Sequence, residues 1–213
     1  MIRFFHAFVK ITGFLPQMIV FRIKAYRSSA SAAKRGLRGP AILISNHTSV
    51  WDFAMMLFLF PFRTLRYVMA ELLFEKPFLG WFLRRLGGIR VNRYGYDFAF
   101  LDKAERILEK GGVVGGFPEG RIPLPHEQRP LEFKPGMAYL ALRCDVPVIP
   151  VFTNGKYFSL HRARVMLGEP MYARDYVDDS LSERENIVRV NAAFREKIME
   201  LEHELNERTG GRG

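Results

Sequence analysis

The sequence predicts an α/β fold: a mixed, largely parallel central sheet flanked by helices, with an N-terminal interfacial two-helix segment suited to anchoring at a membrane. Three observations carry this. Short apolar runs of strand type alternate with segments of helical period from residue 41 onward, the signature of a sheet with helices packed on it. Residues 1–27 are different in kind, with aromatic stripes, a Gly13/Pro16 break and basic flanks. A length of 213 residues with 48% hydrophobic content suits one α/β domain with attachments.

In the first segment, Phe4, Phe8, Ile11 and Leu15 recur at helical spacing as one stripe. Gly13 and Pro16 interrupt it, and Met18 to Phe21 resume an apolar run that ends in Arg22, Lys24 and Arg27. Two short helices that lie on a lipid surface account for this pattern, and two helices packed on the core are the alternative. Residues 28–40, Ser/Ala-rich and then basic with Gly36, Gly39 and Pro40, read as a linker, which leaves 41–213 as the main domain. There, 41–45 reads as a buried strand, 50–60 as a helix stopped by Pro61, 65–70 as a strand, 77–86 as a helix and 89–91 as a short strand. A helix over 97–110 ends at Gly111-Gly112, followed by a strand at 113–117, a helix at 135–143, and strands at 146–152 and 163–167. Ser182 and Glu185 form a capping box for a last helix with Ile187, Val190, Phe194, Ile198, Leu201 and Leu205 on one side.

The net charge is +10, which suits nucleic acid, an anionic membrane or acidic small substrates. The single cysteine, Cys144, excludes an internal disulfide and a cysteine-based zinc site. The N-terminal run is too interrupted by charge for a signal peptide, and no stretch reaches the roughly 18 apolar residues of a spanning helix. Nineteen phenylalanines are many for this length, and some are expected to meet a surface other than the protein's own interior.

Four blocks are candidates for chemistry. Asn46-His47-Thr48-Ser49-Val50-Trp51-Asp52 stands where a strand passes into a helix. A neutral imidazole can take a proton from a hydroxyl near pH 7, and a carboxylate on its other nitrogen fixes the tautomer and stabilises the imidazolium. On one continuous helix, side chains five residues apart point about 140° away from each other. His47 and Asp52 therefore meet only if His47 lies in the loop and Asp52 in the first turn. The rival is a capping box, Ser49-x-x-Asp52, with Asp52 merely satisfying backbone donors. Spacing leaves both open. The second block, Phe117-Pro118-Glu119-Gly120-Arg121, follows a Gly-rich strand; its glycine permits close backbone approach and its arginine suits phosphate, though a solvated turn with an exposed ion pair fits equally. It is not a nucleotide P-loop. The third, Gly87 to Arg93, places Arg90 and Asn92 on one strand face and Val91 and Arg93 on the other. The fourth, Val146 to Val151, reads as core, its two prolines weakening it as a central strand.

In this order and at these separations the blocks resemble the lysophosphatidic acid and glycerolipid acyltransferases, the 1-acylglycerol-3-phosphate acyltransferases and their relatives. Asn46, His47 and Asp52 match the family's N-H-x-x-x-x-D; Arg93 fits the arginine closing its second block; Phe117 to Gly120 match F-P-E-G; Val146 to Val151 match V-P-[VI]-[VI]-P-V. Phe133 to Ala138 resemble the F-K-x-G-x-A stretch between the last two, so the likeness spans roughly residues 40–170. Arg121-Ile122 stand where many members continue T-R-S, and Arg90 where many have Phe; both put acceptor identity in doubt.

The resemblance implies an acyl transfer from acyl-CoA or acyl carrier protein to the free hydroxyl of a lysophospholipid such as 1-acylglycerol-3-phosphate. His47 would be the general base and Asp52 its support, with Arg93, Glu119, Gly120, Arg121 and Lys134 binding substrate. It implies no metal, no cofactor beyond the acyl donor, membrane lipids as partners, and a peripheral or monotopic place on the cytoplasmic face. No protein nucleophile is expected, because the acceptor's hydroxyl attacks; no G-x-S-x-G elbow is present. Two rivals remain: a basic nucleic-acid-binding domain, which would explain the charge but not F-P-E-G, and an inactive membrane scaffold.

Overall fold

A computed structural model describes residues 1–92, 99–158 and 162–210. The chain runs through α1 (Ile2–Thr12), α2 (Phe14–Val20), β1 (Lys24–Arg27), β2 (Ala41–Ser45), α3 (Asp52–Leu59), β3 (Leu65–Ala70), α4 (Glu71–Glu75), α5 (Pro77–Arg85) and β4 (Ile89–Val91). It continues through α6 (Ala99–Glu109), β5 (Val113–Gly116), α7 (Gly136–Cys144), β6 (Val148–Thr153), β7 (Arg164–Leu167), a 3₁₀ turn (Ala173–Tyr176) and α8 (Glu183–Arg208).

The strands form one seven-stranded sheet in the order β1-β7-β6-β2-β5-β3-β4. Every pair is parallel except β6 with β7. Helices α6, α7 and α8 bury one face, through residues such as Leu101, Leu140 and Phe194. Helices α3 and α5, with part of the N-terminal pair, bury the other, through Met55, Leu83 and Phe21. Covering both faces accounts for the unbroken apolar runs of β2 and β6, all of whose residues are buried.

Several local expectations change. Lys24–Arg27, assigned with the N-terminal helices, are an edge strand parallel to β7. Charged residues suit such an edge, where one row of backbone groups meets solvent. Residues 28–33 are packed rather than linker-like: Ala32 and Ala33 are buried, the Arg27 side chain donates to the Ala32 carbonyl at 3.0 Å, and the Ala33 N–H donates to the Gly168 carbonyl at 3.0 Å. Strand β6 is interior despite its prolines. Its pairing with β7 begins at Val151, and Pro150 contributes only its carbonyl, to the Gly168 N–H at 2.9 Å. The missing donor thus falls before that ladder starts. The first two residues read into the α6 helix, Asp97 and Phe98, lie outside the described residues.

Glycines in β5 have a packing reason. A Cβ on Gly115 would stand 2.4 Å from the Tyr67 ring, and one on Gly116 would stand 2.6 Å from Met137 Sδ. Large neighbours cross the strand at both positions, where β5 lies between β2 and β3 in the sheet. Ile44 pairs with Gly116 and Ser45 with Val151, so the carboxyl ends of β2, β5 and β6 open at one edge. Three loops start there, and they build the site.

Candidate active site

The loop after β2 carries His47, and α3 begins at Asp52. The bend between them brings the two side chains together: His47 Nδ1 lies 2.8 Å from Asp52 Oδ2. Asp52 is fully buried, while the His47 side chain retains 12% exposure. The capping reading is half met by the same carboxylate. Asp52 Oδ2 accepts from the Ser49 N–H at 2.9 Å and the Thr48 N–H at 2.6 Å, but the Ser49 hydroxyl accepts from the Trp51 N–H at 3.2 Å. One oxygen thereby both folds the turn and binds the imidazole.

The other oxygen, Oδ1, accepts from the Thr48 hydroxyl at 2.8 Å and the Tyr157 hydroxyl at 2.7 Å. Burial, followed by the Asp52 charge, pushes the Tyr157 phenol well above its ordinary range, so it remains protonated and donates. The buried carboxylate is compensated on every side. Asn46 locks the start of this loop to β6: its Nδ2 donates to the Thr153 carbonyl at 2.8 Å and its Oδ1 accepts from the Thr153 N–H at 2.9 Å. The His47 ring is stacked on Phe117, centroids 4.2 Å apart and planes 9° apart. Phe117 lies in turn 5.2 Å from Tyr67.

Glu119 is buried, and both its oxygens meet backbone donors: the His47 N–H at 2.7 Å and the Leu131 N–H at 2.9 Å. It braces the His47 loop against the segment after F-P-E-G. Burial raises its carboxyl above the usual range, with those two amides opposing the shift. Gly120, at φ +72°, makes the tight turn in which its N–H donates to the Phe117 carbonyl at 2.9 Å. Arg121 is exposed and forked onto Glu127, whose carboxyl it pulls down to about 2. Lys134 is also exposed, and its aliphatic stem passes close to Gly120. Arg93 lies outside the described residues. Arg90 of the third block is paired with Glu71 at the surface.

A cleft of about 400 Å³ opens beside the imidazole, lined by Asn46, His47, Thr48, Glu119, Arg129 and Glu202 among others. Of the sequence-derived candidates, His47 and Glu119 line it, whereas Arg121 and Lys134 stand off it. Arg129 is the cation it does contain. That side chain makes no hydrogen bond or ion pair among the described residues, although its charge reaches both Glu119 and Glu202. Among the described residues no group of three His, Cys, Asp or Glu side chains stands together in a way that could hold a metal ion. Sequence reasoning missed Thr48, Phe117, Tyr157 and Arg129 as parts of the site. Phe117 sat inside a matched block with no role of its own, and Thr48 reads from sequence as an ordinary turn residue, whereas nothing in the spacing relates Tyr157 to a carboxylate 105 positions earlier.

A largely parallel sheet whose strand ends present a carboxylate-backed imidazole beside an open cleft places the protein in a class, the α/β acyltransferase fold. The solved structure of the 1-acyl-sn-glycerophosphate acyltransferase PlsC from Thermotoga maritima superposes with a TM-score of 0.62, covering 94% of this chain and 79% of that one at 21% identity. A family model described as Acyltransferase matches residues 22–154, and the chain belongs to that family. Curated relatives include 1-acyl-sn-glycerol-3-phosphate acyltransferases from Bacillus subtilis, 25% identical over 67% of this chain and 71% of the relative, and from Pseudomonas aeruginosa, 34% identical over 56% and 46%. A human 1-acyl-sn-glycerol-3-phosphate acyltransferase beta is 32% identical over 53% of this chain and 40% of its own length. The match thus spans less than half of the Pseudomonas and human proteins.

Proposed function

We propose that the protein transfers a fatty acyl group from a thioester, acyl-CoA or acyl carrier protein, to the free hydroxyl of 1-acyl-sn-glycerol-3-phosphate or a similar lysophospholipid. The observation that carries this reading is the 2.8 Å contact of His47 Nδ1 with the buried Asp52, which leaves the other ring nitrogen for a substrate beside the cleft. His47 accepts the hydroxyl proton while the oxygen attacks the thioester carbonyl. The tetrahedral intermediate collapses with loss of the C–S bond, and the thiolate recovers the proton from the imidazolium. Asp52 holds the tautomer and offsets the transient positive charge. No acyl-enzyme forms. Cys144 fits that route poorly as a nucleophile, since burial pushes its thiol up to about 11.

Arg129 is the group in the cleft best suited to an acceptor phosphate, because its guanidinium lines the cleft with His47 and has no hydrogen-bond or ion-pair partner among the described residues. Glu119 acts by fixing the His47 backbone. Arg93, Gly120, Arg121 and Lys134 are proposed to bind the acceptor, as the sequence motifs imply. The protein works at a membrane surface, peripherally and on the cytoplasmic face, with its lysolipid acceptor drawn from that surface. The test is incubation of purified protein with acyl-CoA or acylated carrier protein and a panel of lysolipids, with products identified by mass spectrometry. Diacylated phosphate-bearing product is expected in preference to product from a phosphate-free monoacylglycerol. Absence of acyl transfer to every acceptor overturns the proposal.

A further inference from the structure

The two oxygens of Asp52 have separate partners. Oδ2 faces His47 and the turn amides, while Oδ1 faces the hydroxyls of Thr48 and Tyr157. Tyr157 arrives from the loop after β6, its ring set edge-on against Phe21 with centroids 5.2 Å apart. Its oxygen is 2.7 Å from Asp52 Oδ1 and 3.4 Å from Thr153 Oγ1. A phenol has one proton, and the shorter contact to a carboxylate takes it, so Thr153 is left to donate to the phenol oxygen. The result is a directed chain from Thr153 through Tyr157 to Asp52. Tyr67 offers a contrast. It too is buried near enough to feel the Asp52 charge, yet its hydroxyl has no hydrogen-bond partner among the described residues. Of these two buried phenols, Tyr157 alone bonds the carboxylate.

We infer that Tyr157 is a positioning residue for the transfer: its hydroxyl, donated to Asp52 Oδ1, fixes the carboxylate plane with Oδ2 toward His47 and sets how strongly Oδ2 holds the imidazolium. This rests on His47 being the base. Each donor draws charge from a carboxylate and weakens what remains for the others. Without the phenol, Oδ1 keeps only Thr48, and Oδ2 binds the imidazolium more tightly. The imidazolium then persists to higher pH, and the unprotonated base appears later in a titration. Other titratable or charged groups line the cleft with His47 from the loop after β5 (Glu119), the following segment (Arg129) and α8 (Glu202), and Tyr67 of β3 lies near enough to feel the Asp52 charge. None of them changes with Tyr157, so a displaced profile reports on the phenol.

The experiment measures kcat/KM against pH for the full chain with acyl-CoA and lysolipid vesicles, beside NMR titration of ¹⁵N-labelled His47. Tyr157→Phe is expected to move the acid limb and the imidazole titration upward by about half to one pH unit, with the plateau rate within a few-fold of the parent. Replacement of Tyr157 by 3-fluorotyrosine, a stronger donor, is expected to move both downward. A role in packing alone lowers the rate evenly at all pH values and gives no opposed pair of shifts. Profiles that superpose on the parent overturn the inference; should Tyr157→Phe not fold, the fluorotyrosine protein decides alone. Failure of the base reading is distinct: His47→Ala then keeps its activity, while the NMR titration still reports whether Tyr157 acts on the dyad.

Discussion

At the scale of single residues, the central fact is that Asp52 is fully buried yet accepts five hydrogen bonds, from His47, Thr48 (twice), Ser49 and Tyr157. His47 and Asp52 were legible because their spacing permits contact across a loop-to-helix bend, and the capping reading that competed with it describes part of the same geometry. Tyr157 and Arg129 were not legible, since what brings them near is the meeting of strand ends far apart in sequence. Gly155 shows the same dependence. Its φ is +67°, and a Cβ there would stand 2.3 Å from Thr48 Oγ1. Gly155→Ala is therefore predicted to strain the backbone by about 1–3 kcal/mol and to push Thr48 off Asp52. Thermal melting is expected to show the lost stability, and turnover to fall at least about tenfold for each 1.4 kcal/mol lost from the arranged state. Unchanged melting and turnover would show that the loop relaxes without cost.

Among the elements, α8 was the most legible. Its capping box is present, with Ser182 and Glu185 bonded reciprocally, and its apolar stripe is buried as the spacing required. Strand β1 was not, because four residues with two charges next to a helix carry no strand period of their own; β7 supplies the pairing. Helix α1 showed only one of its two faces in the sequence. Phe4, Phe8 and Ile11 of α1, with Leu15 of α2, are exposed, so the stripe points outward. The inner face docks through Phe5 and Val9 on the core and through polar contacts: Lys10 donates to the carbonyls of Phe60, Pro61 and Arg63 just past the end of α3, and His6 Nε2 bonds the Leu86 carbonyl at 2.9 Å. Burial lowers His6 from 6.5 to about 4, so the folded chain refuses a proton that the unfolded chain accepts between those values. Stability is then complete above pH 6.5 and is lost as pH falls toward 4, by an amount on the order of 2–3 kcal/mol. Urea unfolding followed across that range is predicted to show the slope, and His6→Gln to flatten it. A slope identical in the variant would assign the effect to other groups.

For the whole molecule, the alternation of apolar runs with helical-period segments was enough to foresee a mixed, largely parallel sheet. The sheet order was not foreseeable, because nothing local states that β2 lies between β5 and β6. Nor does local pattern tell an outward aromatic stripe from an inward one. Phe4, Ile11, Leu15, Ile19 and Phe78 are each more than 70% exposed, and Phe78 stacks with Trp81, itself edge-on to Phe5 of α1. Exposed Trp51 and Phe158, 5.0 Å apart, put further apolar surface next to the start of α3 at Asp52 and the loop that carries Tyr157. Among the described residues no helix is long and apolar enough to cross a membrane. On the proposed membrane role, the exposed stripe would supply the docking surface, each inserted large side chain contributing about 1.5–3 kcal/mol. Phe4→Asp combined with Ile11→Asp is predicted to lower sedimentation with anionic vesicles at least tenfold while leaving the melting temperature unchanged. Equal vesicle binding by the double variant would remove α1 from the docking surface.

The imidazole itself offers the most direct test. Single-turnover acyl transfer by His47→Ala, on vesicles that contain lysolipid and with folding checked by melting, is predicted to fall by about 10²–10⁴-fold, with vesicle binding and stability retained. Near-normal transfer by that folded, vesicle-bound variant would contradict the account.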